Sequence, residues 1–239
     1  MPRTWPRPWP PSKIRLPTTV AIIGAGPLGR WLALAAARAG FPVLLEDVMP
    51  RNLHHAQEFL RQQLGPGVPN RDSEALAAIA FVSTIEEAVR EADLVIDCVP
   101  DELESKLEIL WLLDRMAPPR TVLATPTTRL SIADLANCTY RPEKCIAIAA
   151  EASCLAGKPW TGVDQPETVA GKPETGGGNL AMGASQPIGG SGALILLRTT
   201  TRTAPETVAL VRNFWRQLGF TPVFEVDPAG QPDKLTAGS

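Results

Sequence analysis

Short apolar runs recur along the chain from residue 18, and between them lie stretches with helical spacing. Residues 18–23 form an unbroken apolar, β-rich run ending at Gly24, the pattern of a strand buried on both faces of a parallel sheet. Residues 27–39, rich in Ala and Leu and closed by Gly40, predict a helix. Residues 41–47 predict a second strand ending in acid, and 52–64 a second helix with Asn52 as its cap. A turn-rich segment, GPGVPN, follows. Then come a strand at 79–83, a short helix at 84–90, a strand at 93–99, a long helix at 101–116 and a strand at 121–125. Ser131 and Asp134 make a Ser-x-x-Asp capping pattern for a short helix at 131–136, and 145–150 is the next apolar run. Strands alternating with helices predict an α/β fold, a Rossmann-type doubly wound and mainly parallel sheet with right-handed crossovers.

The alternation breaks between residues 156 and 192, which hold ten of the chain's 19 glycines and four prolines. A compact domain seldom contains so long a loop, so this segment reads as an insertion. Order resumes with a strand at 193–199, a helix at 205–218 with Pro205 at its first position, and a strand at 221–226. The expected organisation is therefore a disordered Pro/Arg-rich extension at 1–17, one domain over 18–227, and a flexible tail at 228–239.

Composition narrows the chemistry. The 239 residues carry 23 Lys+Arg against 25 Asp+Glu, which argues against nucleic acid as the main partner. No apolar run is long enough to span a membrane. The four cysteines form no Cys-x-x-Cys pair, so no metal is expected, and scattered thiols suit the cytoplasm. The only histidines are His54 and His55, on the second helix. A mechanism that needs a histidine elsewhere has none to use.

The first strand and helix enclose G-x-G-x-x-G at Gly24, Gly26 and Gly29. Alone the motif is weak, but it stands between a buried strand and a helix, as dinucleotide binding requires. Gly24 permits the tight turn, Gly26 lets the backbone approach a pyrophosphate, and Gly29 lets helix and strand pack closely. Pro27 lacks an N–H, so the phosphate-binding amides are expected from Leu28, Gly29 and Arg30. Asp47, 18 residues after Gly29, suits a ribose-binding acid, with neighbouring Glu46 as the alternative. An acid there repels a 2′-phosphate, so NAD is favoured over NADP, with Arg51 the one nearby feature that would suit NADP.

With these motifs in place, the order of residues resembles the 3-hydroxyacyl-CoA dehydrogenases. VAIIGAGPLGRWLALAAARAGFPVLLEDV is similar to that family's first βαβ unit. ADLVIDCVPDELESKLEILWLLDRMAPPRTVLATPTTRLSIADLA resembles its segment with V-P-E-x-L-x-x-K and A-T-N-T-S-S-L at strand ends. RPEKCIAIAA and RTAPETVALVRNFWRQLGFTPVFEVD resemble its later strand, helix and strand. The likeness covers about residues 18–155 and 193–227. It implies NAD as cofactor and a small-molecule substrate of the acyl-CoA kind. It also implies that Asp101 stands for the family's acid near the cofactor and Lys106 for its cofactor-contacting lysine.

The catalytic positions depart from the family. Its N-T-S-S is here Pro126-Thr127-Thr128-Arg129, so Thr128 keeps a hydroxyl that could bond a substrate oxygen, or serves the turn alone. The family's catalytic histidine falls on Ala149, which cannot accept a proton. Its orienting glutamate falls in the Gly-rich region. Glu151, two positions beyond Ala149 and on the same strand face, is the best replacement base, with Lys158 and Tyr140 weaker. The family's helical C-terminal domain has no counterpart in the sequence. Two functions remain open: an NAD-dependent oxidoreductase of this type, and a non-catalytic NAD(H)-binding relative that senses or scaffolds.

Overall fold

The computed structural model describes residues 19–64, 71–149 and 193–227, so the two termini, the 156–192 insertion and Glu151 lie outside the described residues. The elements run in the order β1 (Val20–Ile23), α1 (Pro27–Arg38), β2 (Val43–Glu46), α2 (Pro50–Leu64), α3 (Arg71–Ala77), β3 (Ile79–Val82), α4 (Ile85–Val89) and β4 (Leu94–Asp97). Then come α5 (Leu103–Met116), β5 (Val122–Pro126), α6 (Ile132–Asn137), a 3₁₀ turn (Pro142–Lys144), β6 (Cys145–Ile148), β7 (Leu194–Thr199), α7 (Pro205–Gln217) and β8 (Thr221–Val226).

The strands form one sheet in the order β3-β2-β1-β4-β5-β6-β7-β8. Every pair is parallel except β6 with β7, which run antiparallel. The chain goes from β1 to β2 and β3 on one side, then crosses back to β4 on the other. The strand order therefore reverses beside β1, the place where open α/β sheets bind ligands.

Why β1 is central follows from its sequence. All four of its side chains are buried, each worth roughly 1.5–3 kcal/mol if large and apolar. Val20 and Ile22 face a core with Leu32, Ala33 and Ala36 of α1, Leu60 of α2 and Phe214 and Trp215 of α7. Ala21 and Ile23 face a second core with Val89 of α4, Leu110 and Leu113 of α5 and Leu135 of α6. Helices thus cover both faces, as the continuous apolar strands require.

Two caps hold the short helices on the second face. Thr84 Oγ1 accepts the Glu87 amide at the start of α4, and Ser131 Oγ accepts the Asp134 amide at the start of α6, as the Ser-x-x-Asp pattern implies. Asp227, just past β8, also reaches α6. Its Oδ2 accepts from Ser131 Oγ (3.0 Å), Ile132 N (2.7 Å) and Ala133 N (3.4 Å).

Three elements differ from expectation. Helix α3 occupies 71–77, a stretch to which the sequence pattern assigned no element. With Ala75 and Leu76 as its apolar contacts to the core, it is too short for its periodicity to show. Helix α2 begins at Pro50, whose fixed φ suits a first helical position, so Asn52 is inside the helix and is not its cap. Helix α5 begins at Leu103, which leaves Asp101 in the loop after β4.

Candidate functional site: a dinucleotide crevice at the sheet's switch point

The turn from β1 into α1 is built on Gly24. Its φ is +101°, and a Cβ there would lie 3.2 Å from the carbonyl oxygen of Cys98 on β4's exit. A side chain at this position is strained and crowded, so glycine is required. Gly29 lies in the first turn of α1, where a Cβ would come within 1.9 Å of the Gly24 carbonyl oxygen. Helix and turn can touch only without one. At Gly26 the opposite holds, for a Cβ would meet nothing within 4 Å. The backbone there borders open space on the side where a pyrophosphate would approach. The turn and the close helix–strand contact thus require Gly24 and Gly29, while Gly26 leaves its side open.

The amide donors need one correction. Gly26 is the cap and Pro27 the first residue of α1. Arg30 is then the first residue whose amide has a partner a turn back, and its N–H donates to the Gly26 carbonyl (3.0 Å). Arg30 therefore cannot offer a phosphate-binding amide, and Gly26, Leu28 and Gly29 are left as the donors of the helix start. The Arg30 guanidinium instead lies over the Phe59 ring, 5.6 Å from its centre.

Of the two acids ending β2, Asp47 meets the glycine loop. Its Oδ2 accepts the Ala25 amide at 2.9 Å and its Oδ1 the Met49 amide at 2.8 Å. Asn52 Nδ2 reaches both oxygens, each at 3.1 Å. Asn52 is the residue that sequence reasoning misplaced. The signal was its position five residues after Asp47, which a helix beginning at Pro50 turns back toward the strand end. Glu46 is buried, and burial together with the Asp47 charge raises its carboxyl from 4.5 to about 7.

On the other side of the crevice, two residues picked from sequence come together. Asp101 Oδ2 accepts the Thr128 amide at 3.2 Å, and the Asp101 carbonyl accepts from Arg129 Nη2 at 3.2 Å. Arg198 of β7 reaches the Thr128 carbonyl at 3.5 Å. Asp101 Oδ1 is buried and has no hydrogen-bond partner among the described residues. A buried acceptor in that state fits a hydroxyl donor arriving from the crevice.

Lys106 turns inward toward the end of β4. It is fully buried in the first turn of α5, and its Nζ is 2.6 Å from Asp97 Oδ1 at the end of β4. Burial pushes the Asp97 carboxyl up, against the lowering effect of Lys106. Thr125 is the next residue in register across β4 and β5. Asp97 Oδ2 and Thr125 Oγ1 make no bond of good geometry, though Thr125 is near enough to help hold the Asp97 charge.

Among the described residues no titratable group stands at the expected proton-transfer position. The Ala149 amide donates to the Leu196 carbonyl at 2.8 Å, so the residue facing Ala149 across β6 and β7 is apolar. Neither a base nor an acid to orient one occupies that strand pair. His54 and His55 lie on α2, exposed, with His54 paired to Glu58. Burial raises the thiols of Cys98 and Cys145, the latter to about 12, so neither is a nucleophile near neutral pH. Among the described residues, no cluster of His, Cys, Asp or Glu could hold a metal ion, and no helix is long and apolar enough to cross a membrane.

A doubly wound sheet with a glycine cradle and a strand-end acid defines a dinucleotide-binding domain, and comparison with known proteins narrows the class. Residues 19–149 match the family described as "3-hydroxyacyl-CoA dehydrogenase, NAD binding domain", more than half of the chain, and the chain belongs to that family. A probable 3-hydroxybutyryl-CoA dehydrogenase of Bacillus subtilis is 33% identical over 135 residues, covering 54% of this chain and 47% of that protein. An L-carnitine dehydrogenase of a Pseudomonas species is 32% identical over 135 residues, covering 54% of this chain and 40% of that protein. The chain spans about half the length of the curated relatives it matches. The solved structure of a 3-hydroxybutyryl-CoA dehydrogenase from Escherichia coli shares the fold, with a TM-score of 0.68 at 23% identity over 90% of this chain and 39% of that one. NAD is the cofactor of this family, and the open side of Gly26 and the unpartnered Asp101 oxygen fit it.

Proposed function

We propose that the chain is the cofactor-binding part of an NAD-dependent oxidoreductase of the 3-hydroxyacyl-CoA dehydrogenase type, acting in the cytoplasm on a small acyl-CoA-like molecule. The observation that carries this reading is the cradle of Gly24, Gly26 and Gly29 with Asp47 bonded to its backbone. Bound NAD supplies the hydride acceptor at its nicotinamide ring. The chain's own residues do the rest. The Gly26, Leu28 and Gly29 amides hold the pyrophosphate, Asp47 holds the adenosine ribose, and Asp101 lines the opposite wall. Thr128, exposed beside Asp101, offers a hydroxyl to a substrate oxygen. Glu151 is the nearest base in sequence to take the hydroxyl proton.

A second reading is a non-catalytic NAD(H)-binding relative, and Ala149 facing Leu196 favours it. One experiment separates the two. Saturation with NADH is followed by acetoacetyl-CoA, with absorbance at the reduced nicotinamide band recorded. Oxidation that Glu151→Gln abolishes supports the oxidoreductase. Tight NADH binding without oxidation supports the second reading.

A further inference from the structure

Arg129 and Arg198 are far apart in sequence, yet both guanidiniums end at the turn after β5. That turn is held from three sides. The Thr127 amide donates to the Ile148 carbonyl (3.1 Å), the Leu130 amide to Thr127 Oγ1 (3.0 Å), and the Thr128 amide to Asp101 Oδ2 (3.2 Å). Thr127 is buried, whereas Thr128 and Arg129 are exposed. The fixed turn therefore presents two polar side chains at the carboxyl end of the sheet, beside the end of β6 where Ala149 follows Ile148. Arg129 Nη2 donates to the Asp101 carbonyl (3.2 Å) and Arg198 Nη1 to the Thr128 carbonyl (3.5 Å). Each guanidinium is thus tethered through a backbone oxygen and keeps further N–H donors. Among the described residues Arg129 forms no ion pair with a carboxylate. The partner of Arg198 is Glu225, 3.9 Å away and 55% exposed, a surface pair that offsets its charge little. Asp101 is the one described carboxylate bonded to the turn, so two cations beside it leave an excess of positive charge.

We propose that Arg129 and Arg198 form an anion subsite at the substrate end of the crevice, which takes a carboxylate lying within a few atoms of the oxygen that Thr128 meets. This rests on the reading that the crevice binds NAD(H) with Thr128 facing the substrate, and it narrows the substrate to one whose acyl part bears a free acid. A guanidinium presents paired N–H groups in one plane, and these match the two oxygens of a carboxylate. A substrate anchored by its charged end is held in one orientation against the Thr128 hydroxyl. A thioester at the same place carries no charge for the arginines to meet.

The test is calorimetric titration of the NADH-saturated protein with three probes: acetoacetate, its uncharged ethyl ester, and acetoacetyl-CoA. Acetoacetate should bind about tenfold or more tightly than ethyl acetoacetate. Arg129→Gln and Arg198→Gln should each erase most of that preference, with the NADH Kd within about twofold of wild type and the melting temperature little changed. Equal binding of acid and ester by wild type overturns the proposal, and so do variants that keep the preference. Acetoacetyl-CoA binding that the variants weaken, in a protein that never binds acetoacetate, means that the arginines take the phosphates of the carrier, which also overturns it. Variants that lose NADH affinity in parallel show that the arginines serve the cofactor, with the same consequence. Where one variant does not fold, the other decides. If wild-type protein binds no NADH, the cofactor reading fails and this inference goes with it. NADH binding without a preference for the acid sinks the subsite only.

Discussion

Gly26 and Gly29 make opposite demands on an added methyl group, and that contrast separates binding from folding. At Gly26 the backbone has φ −65° and ψ −175°, which alanine adopts without strain, and the new Cβ meets no protein atom within 4 Å. Restricting the unfolded chain should therefore stabilise Gly26→Ala by about 0.4–1 kcal/mol. The methyl nevertheless projects where the pyrophosphate must approach. Loss of that close approach should weaken NADH about tenfold or more, at least about 1.4 kcal/mol. At Gly29 the added Cβ would lie 1.9 Å from a backbone oxygen, so α1 must shift. Overpacking of this kind destabilises by about 1–3 kcal/mol, against a helix-propensity gain of about 1. Gly29→Ala should thus lose both stability and affinity. Denaturant melts of the unliganded variants and calorimetric NADH titrations measure the two quantities separately. The reasoning is refuted if Gly26→Ala is destabilised by more than about 1 kcal/mol, or if it binds NADH as wild type does.

Other outcomes follow from the site's electrostatics and caps. Glu46 is protonated more readily in the fold than in the unfolded chain, so stability is fullest below about pH 4.5 and falls as pH rises through about 7. Glu46→Gln should remove that decline and gain at most about 3 kcal/mol at pH 8, with little change at pH 4.5. Parallel pH–stability curves for the two proteins would contradict this. Asp47→Ser removes the charge that repels a 2′-phosphate, so the preference for NADH over NADPH in competitive titrations should narrow about tenfold or more. An unchanged preference would show that Asp47 is not the selecting group. Asp227→Ala leaves three donors at the start of α6 without their acceptor and should cost about 1–3 kcal/mol in denaturant melts. A change under about 0.5 kcal/mol would show that Asp227 does not hold that helix.

The parallel half of the sheet was readable because strands buried on both faces leave continuous apolar runs. Residues 20–23 and 94–97 are of this kind, and each is followed by the turn chemistry that ends it. The glycine motif was readable because Gly24 and Gly29 answer distinct steric demands of the turn and helix start. What could not be read depends on where long side chains go after the helices are placed. Lys106 reads by resemblance as a cofactor-contacting lysine, and only the packing of α5 on β4 shows its pairing with Asp97. Asn52 looks like a cap until Pro50 starts the helix two residues sooner. The amide of Arg30 is used within α1 for a related reason, because the donors left at a helix start depend on which residue is the cap. The antiparallel pairing of β6 with β7 was not expected either. It is this pairing that sets Leu196 opposite Ala149.

The central claim is that the cofactor half of a dehydrogenase site is complete in this chain. A fluorescence titration of the folded wild-type protein with NADH, paired with a thermal melt at each concentration, tests it most directly. Saturable enhancement of nicotinamide fluorescence should appear, together with a melting temperature that climbs with NADH, reaching about 2.7 kcal/mol of added stability at 100 times Kd. A protein that melts cooperatively, yet shows neither signal at millimolar NADH, would contradict the account.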